Sequence, residues 1–190
     1  MGMLHGKRTM LLSRFFAAVL ASIGFAGHAA HAQVFPAFKQ AVAEGVSGSD
    51  GLSAFYRNAR YDDIWTGSDD AARRRAFLTA LSRAPDHGLP VERYDMPGLL
   101  AAFDAVRTER DRGALEARMS RTFVQFATDL HSGVVDPSQI DPAIVRVLPR
   151  PDPAQLMADF AKAPTAGFIR NLVPSAPEYA RLFRAKRELE

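Results

Sequence analysis

The amino-acid sequence predicts an all-α fold, a single compact multi-helix domain with a Pro-rich extended segment, preceded by a signal peptide. Three observations carry this. Apolar residues recur at three- and four-residue steps in several separate stretches. No run alternates with period two. Helix-starting and helix-stopping residues stand between the stretches.

The first 32 residues have the pattern of an export signal. Lys7, Arg8 and Arg14 give a positive start, Phe15 to Phe25 is an apolar run, and Ala30-His31-Ala32 has the small-x-small form that a signal peptidase reads. Cleavage is expected after Ala32, which leaves residues 33–190 as one domain with no membrane span. The whole chain carries 24 basic and 21 acidic residues. Since all three basic residues of the signal leave with it and no acidic one does, the remainder is formally balanced. The high isoelectric point therefore belongs to the signal, and no nucleic-acid partner is expected. The chain has no Cys, so the domain has no disulfide staple, no thiolate metal site and no cysteine nucleophile.

Val34 to Val46 reads as the first helix, with Phe35, Phe38 and Val42 at helical spacing, and Gly45 to Gly51 breaks it. Asp50 is placed to cap a second helix carrying Leu52, Phe55, Tyr56 and Ala59 on one side. Asp62-Asp63 then favours a turn. Ser68 is placed to cap a third helix, striped by Phe77, Leu78, Leu81 and Ala84, with Arg73, Arg74 and Arg75 on a solvated face. Gly88 can take the left-handed conformation after it. Asp95-Met96-Pro97 opens a fourth helix with Leu99, Phe103 and Val106 inward.

Arg107 to Arg112 reads as a loop or exposed helix end. Leu115, Met119, Phe123, Phe126 and Leu130 make the fifth helix the most periodic in the chain, ended by Ser132-Gly133. Five prolines between Val134 and Pro153 forbid a long helix and predict an extended run. Two short helices follow around Leu156, Met157 and Phe160 and around Phe168, Ile169 and Leu172. Ser175-Ala176-Pro177-Glu178 matches a capping box for a last helix presenting Tyr179, Leu182, Phe183 and Lys186 on one face.

Little in this sequence announces chemistry. His87 and His131 are the two histidines beyond the signal. Each lies near a glycine at a helix C-terminus, where an imidazole serves the last carbonyls. Without HExxH spacing they make no zinc motif, so no metal and no cofactor are expected. No Ser stands three residues before a Lys, Gly45 to Ser49 lacks the last glycine of a nucleophile elbow, and there is no phosphate-binding loop. A pair of carboxylates could serve a lytic reaction only if the fold set them about 5–10 Å apart. Aromatic residues crowd Phe55 to Trp65. Phe55 and Tyr56 fit a buried helix face, while Tyr61 and Trp65 stand as candidate surface contacts for sugar rings.

Four pieces occur in order. They are Phe55-Tyr56-x-x-x-Arg60-Tyr61-x-x-x-Trp65; His87-Gly88-Leu89 with Tyr94 behind it; Asp129-Leu130-x-x-Gly133-x-x-x-Pro137; and Leu172-x-Pro174-x-x-Pro177-x-Tyr179-x-x-Leu182. Together they resemble the N-terminal scaffold domain of the large periplasmic L,D-transpeptidases of Gram-negative bacteria, from about Leu52 to the end. In that family a separate catalytic domain carries a nucleophilic Cys in a Ser/Thr-His-Gly-Cys setting and cross-links tetrapeptide stems of peptidoglycan through a thioester. This chain has no Cys and departs from the family there, so His87-Gly88 is not the catalytic His-Gly. The resemblance implies a non-catalytic scaffold, periplasmic, with peptidoglycan or a transpeptidase catalytic domain as partner, in cis or in trans. A free-standing periplasmic binding module for peptidoglycan or a partner transpeptidase and a helical lytic enzyme with a carboxylate pair are the alternatives.

Overall fold

A computed structural model describes residues 35–190 apart from 136, 142 and 144–148. The expected signal and its cleavage site lie outside the described residues. Every regular element among those described is helical.

The domain is built around helix α5, Glu109–Ser132. At 24 residues it is about 36 Å long. Its start is an exposed helix end, one of the two readings of the charged run, and it carries a reciprocal cap. The Thr108 side chain accepts from Asp111 N–H at 3.1 Å, and the Asp111 carboxylate accepts from Thr108 N–H at 2.9 Å. The Thr108 side chain, and then the Arg107 and Thr108 N–H groups, hold the Asp111 carboxyl below its ordinary value. Gly133, at φ +81°, ends the helix.

Helix α1 (Ala37–Val46) lies along α5. The two approach closely because small residues meet at the crossing. A methyl on Gly113 would stand 2.3 Å from the Phe38 carbonyl oxygen, and one on Gly45 would stand 2.5 Å from the Ala117 Cβ. Helix α2 (Asp50–Asn58) packs on α7 (Pro153–Lys162). Its cap is Ser49, one residue before the expected Asp50; the Ser49 hydroxyl accepts from Leu52 N–H at 3.3 Å. Helix α3 (Ala71–Ser82) is preceded by a 3-10 turn over Ser68–Asp70, so Ser68 starts that turn rather than capping α3. Helix α3 packs on α8 (Thr165–Asn171).

Two further 3-10 turns, Ala84–His87 and Val91–Tyr94, lead into α4 (Met96–Ala105), where Asp95 caps Gly98 N–H. Helix α6 is one turn, Pro137–Ile140, inside the stretch expected to run extended. Proline at the first position of a helix has no N–H to orphan, which allows that turn. The last helix, α9 (Pro177–Leu189), begins at Ala176 without a side-chain cap, so the expected Ser175 capping box is not made.

The core holds the residues that the periodicity marks. Val42, Leu52, Phe55, Tyr56, Phe77, Leu81, Leu99, Met119, Phe123, Phe126, Met157 and Phe160 are buried, and each such large side chain contributes about 1.5–3 kcal/mol by leaving water. The exceptions are Phe35, which lies ahead of α1 and is 47% exposed, and helix α9, which has no buried residue. No described helix is long and apolar enough to cross a membrane.

Candidate functional site

The residues after α2 turn back on themselves at Arg60 and Tyr61, both in the left-handed region at φ 54° and 57°. Such backbone costs about 1–3 kcal/mol per residue when glycine is absent. Local bonds hold it, with Tyr61 N–H donating to the Tyr56 carbonyl at 2.7 Å and Asp62 N–H to that of Ala59 at 3.0 Å. Lys39 Nζ also reaches the Arg60 carbonyl, at 2.5 Å.

The corner delivers Ile64–Gly67 to two clamps. On the α5 side, Glu116 accepts from three successive backbone N–H groups, those of Ile64 at 2.9 Å, Trp65 at 3.1 Å and Thr66 at 3.0 Å, and from the Thr66 hydroxyl at 2.8 Å. On the α3 side, Arg73 donates to the Ile64 carbonyl at 2.8 Å, and Arg74 to those of Trp65 at 2.6 Å and Gly67 at 3.0 Å. One carboxylate thus holds the N–H donors of Ile64–Thr66, and two guanidinium groups hold the Ile64, Trp65 and Gly67 carbonyls, while the Gly67 N–H donates to Asp70 at 3.0 Å. Arg73 and Arg74 are therefore not on a solvated face as expected; Arg75 alone of the three is exposed. Their heads turn inward because unpaired buried carbonyls are costly and an arginine supplies several donors in a fixed fork.

Beneath the segment, Trp65 is 0% exposed. This corrects its reading as a surface contact. Its ring packs on Phe77, Phe123 and Phe160 at centroid distances of 5.2, 5.6 and 5.0 Å. Its indole N–H donates to Ser120 Oγ at 2.8 Å, Ser120 Oγ lies 2.6 Å from the Tyr56 hydroxyl, and that hydroxyl donates to Glu116 at 2.8 Å. With its single proton given to Glu116, Tyr56 must accept from Ser120. The four groups form one directed chain in which each hydrogen bond polarises the next. Burial, and then the Glu116 charge, push the Tyr56 phenol well above its ordinary value. Burial also raises the Glu116 carboxyl, against the pull of its donors. Tyr61 remains partly exposed, with its ring edge-on to the exposed Phe35 at 5.5 Å.

Beside this corner lies a groove of about 530 Å³ between α2 and α7, with Phe55 and Ile64 in its floor and Asn58, Asp62, Gln155 and Lys162 among its walls. The second buried carboxylate, Asp129, takes Arg93 Nε at 2.7 Å and the Tyr94 hydroxyl at 3.0 Å on one oxygen. Glu116 and Asp129 are thirteen positions apart on one straight helix, about 20 Å along its axis. That exceeds the span of an acid–base pair across a glycosidic bond. Both are committed to holding neighbouring segments, and neither opens on a cleft.

Glu116 escaped the reading from sequence, but a signal for it exists. With Met119, Ser120, Phe123 and Ala127 it lies on the inward stripe of the most periodic helix. An acid at such a position needs several donors brought to it. His87 sits at the end of the Ala84–His87 turn as expected. Its partner is the Tyr179 hydroxyl rather than a helix carbonyl, and Tyr179 and Phe183 pack against its ring. His131 is exposed near the end of α5.

Among the described residues, Glu116, Asp129, Arg73 and Arg74 are spent on positioning the domain's own segments. A family model described as Scaffold domain matches residues 50–185, and the chain belongs to that family. Comparison with curated proteins and with solved structures returns no match. The family is non-catalytic and the chain has no Cys.

Proposed function

We propose that this chain is the scaffold domain of a periplasmic murein L,D-transpeptidase, supporting peptidoglycan cross-linking while the acyl chemistry is done by a Cys-bearing domain in cis or in trans. The carrying observation is the family match over residues 50–185, a range that includes all four pieces of the sequence resemblance. The chemistry of the chain agrees. A thioester route needs an activated thiolate, and Cys is absent from the sequence. On this reading the chain is exported to the periplasm, and its partner is peptidoglycan or a transpeptidase catalytic domain.

The test is muropeptide analysis by mass spectrometry after incubation of the purified chain with tetrapeptide muropeptides. The expected result is neither cross-linked dimers nor released fragments. Cross-links formed by the chain alone, with contaminating enzymes excluded, would sink the reading. Export is checked by N-terminal sequencing of the protein recovered from periplasm, which should begin at Gln33.

A further inference from the structure

Arg75 differs from its two neighbours on α3. Arg73 and Arg74 spend their guanidinium groups on loop carbonyls. Arg75 lies on another face, which with Thr79 and Arg83 forms a stripe at four-residue steps. This stripe borders a groove of about 410 Å³ between α3 and α8, and Arg170 of α8 completes the rim. The floor is apolar, with Ala76 and Ile169 in it, and no carboxylate lines the groove. The three arginines are exposed, and none has an ion-pair partner among the described residues.

We propose that this groove binds an acidic peptide through its carboxylates. Guanidinium groups take carboxylates in two-pronged hydrogen bonds that a point charge cannot reproduce. The eight residue steps from Arg75 to Arg83, at the end of α3, advance about 12 Å, which an extended peptide spans in about four residues. A groove floor of methyl groups suits the apolar stems of such a peptide. A nucleic acid would call for a broad basic face, whereas residues 33–190 carry equal numbers of acidic and basic side chains. In its choice of natural ligand, the peptide stems of peptidoglycan, the proposal rests on the proposed function; the groove itself does not.

The probe is fluorescein-labelled tetraglutamate, titrated by fluorescence anisotropy at low salt against the full chain. Saturable binding is expected. Arg170→Gln should weaken it about tenfold and the double variant Arg75→Gln/Arg83→Gln about a hundredfold, one charged contact being worth about a factor of ten. The double variant Arg184→Gln/Arg187→Gln on α9 removes the same charge elsewhere and should change affinity less than about twofold. Circular dichroism confirms that the variants fold. Absence of saturable binding, equal weakening by the α9 control, or tighter arginine-dependent binding of inorganic polyphosphate or of anionic phosphatidylglycerol vesicles would each overturn the proposal. Purified sacculi form a separate arm. Arginine-dependent tetraglutamate binding without sacculus binding keeps the groove and removes peptidoglycan as its ligand. Sacculus binding that survives the groove substitutions, without tetraglutamate binding, keeps the peptidoglycan partner and removes the groove.

Discussion

His87 Nδ1 lies 2.6 Å from the hydroxyl of Tyr179, a contact between residues 92 positions apart. It belongs to the slight attachment that fastens α9 to the Ala84–His87 turn. Helix α9 buries no residue, and Leu182, next to the contact, is 71% exposed. Few buried contacts mean a low local opening energy, so α9 should open without the rest of the domain unfolding.

The attachment should weaken in mild acid. Burial holds the His87 imidazole below its ordinary value, with Asp86 opposing and Lys186 adding to the effect. A histidine with a depressed folded value contributes stability that is complete above the unfolded value of about 6.5 and is lost as the pH falls through the folded one. Protonation also fills Nδ1, which can then no longer accept from Tyr179. Hydrogen exchange across Pro177–Leu189 should therefore rise, after correction for intrinsic rates, between pH 7.5 and pH 5. Tyr179→Phe should flatten that dependence. An unchanged pH response in this variant would show that the contact does not carry it.

The crossing of α1 and α5 makes a second, sharper prediction. Gly113→Ala puts a methyl against the backbone of Phe38, which cannot swing aside as a side chain can. Overpacking of this kind costs about 1–3 kcal/mol. The gain in helix propensity, about 1 kcal/mol, does not offset the upper part of that range, so a net loss is expected in urea unfolding. Gly48→Ala meets nothing within 4 Å and should leave the midpoint nearly unchanged. Equal effects at the two positions would contradict the close crossing.

The sequence resemblance and the structure meet in an instructive way. Tyr94 of its second piece bonds Asp129 of its third, and His87 of its second bonds Tyr179 of its fourth. Pieces far apart in the sequence thus touch in space. Periodicity made the helices and their buried faces legible, since burial of one stripe is what periodicity records. It could not reveal that Arg73 and Arg74 point inward, because their targets are backbone carbonyls that carry no sequence signature. Nor could it place Trp65, which sits in non-helical backbone where no period applies. The face of that indole was decided by Ser120, 55 positions away.

The most periodic helix should also be the most sensitive to truncation. Phe126 packs on Phe77 at 6.0 Å and on Tyr94 at 5.5 Å between ring centroids. Phe126→Ala should cost about 3–5 kcal/mol, as large-to-small changes in a packed core do. A midpoint shift worth only a few tenths of that would mean that α5 is not the axis of the fold.

Glu116 supplies the last prediction, because it is the one side chain that receives the whole Ile64–Thr66 turn. Glu116→Gln keeps the shape and replaces one acceptor oxygen with an NH2 donor. At least one of the Ile64, Trp65 and Thr66 N–H groups must then face a donor, and the Tyr56 hydroxyl loses a charged acceptor. A buried donor left unpaired costs about 1–3 kcal/mol, and two such losses put the expected destabilisation at about 3 kcal/mol. The chain's single Trp reports on the same turn. Trp65 should show blue-shifted emission and resist quenching by acrylamide in the native protein, since it is fully buried. In Glu116→Gln the emission should move red and quenching should rise before the circular dichroism of the helices falls, because the clamp holds the turn and the helices hold each other. If Trp65 stays shielded until the helices melt, the aromatic contacts with Phe77, Phe123 and Phe160 secure the turn without the carboxylate, and the clamp is not what places it.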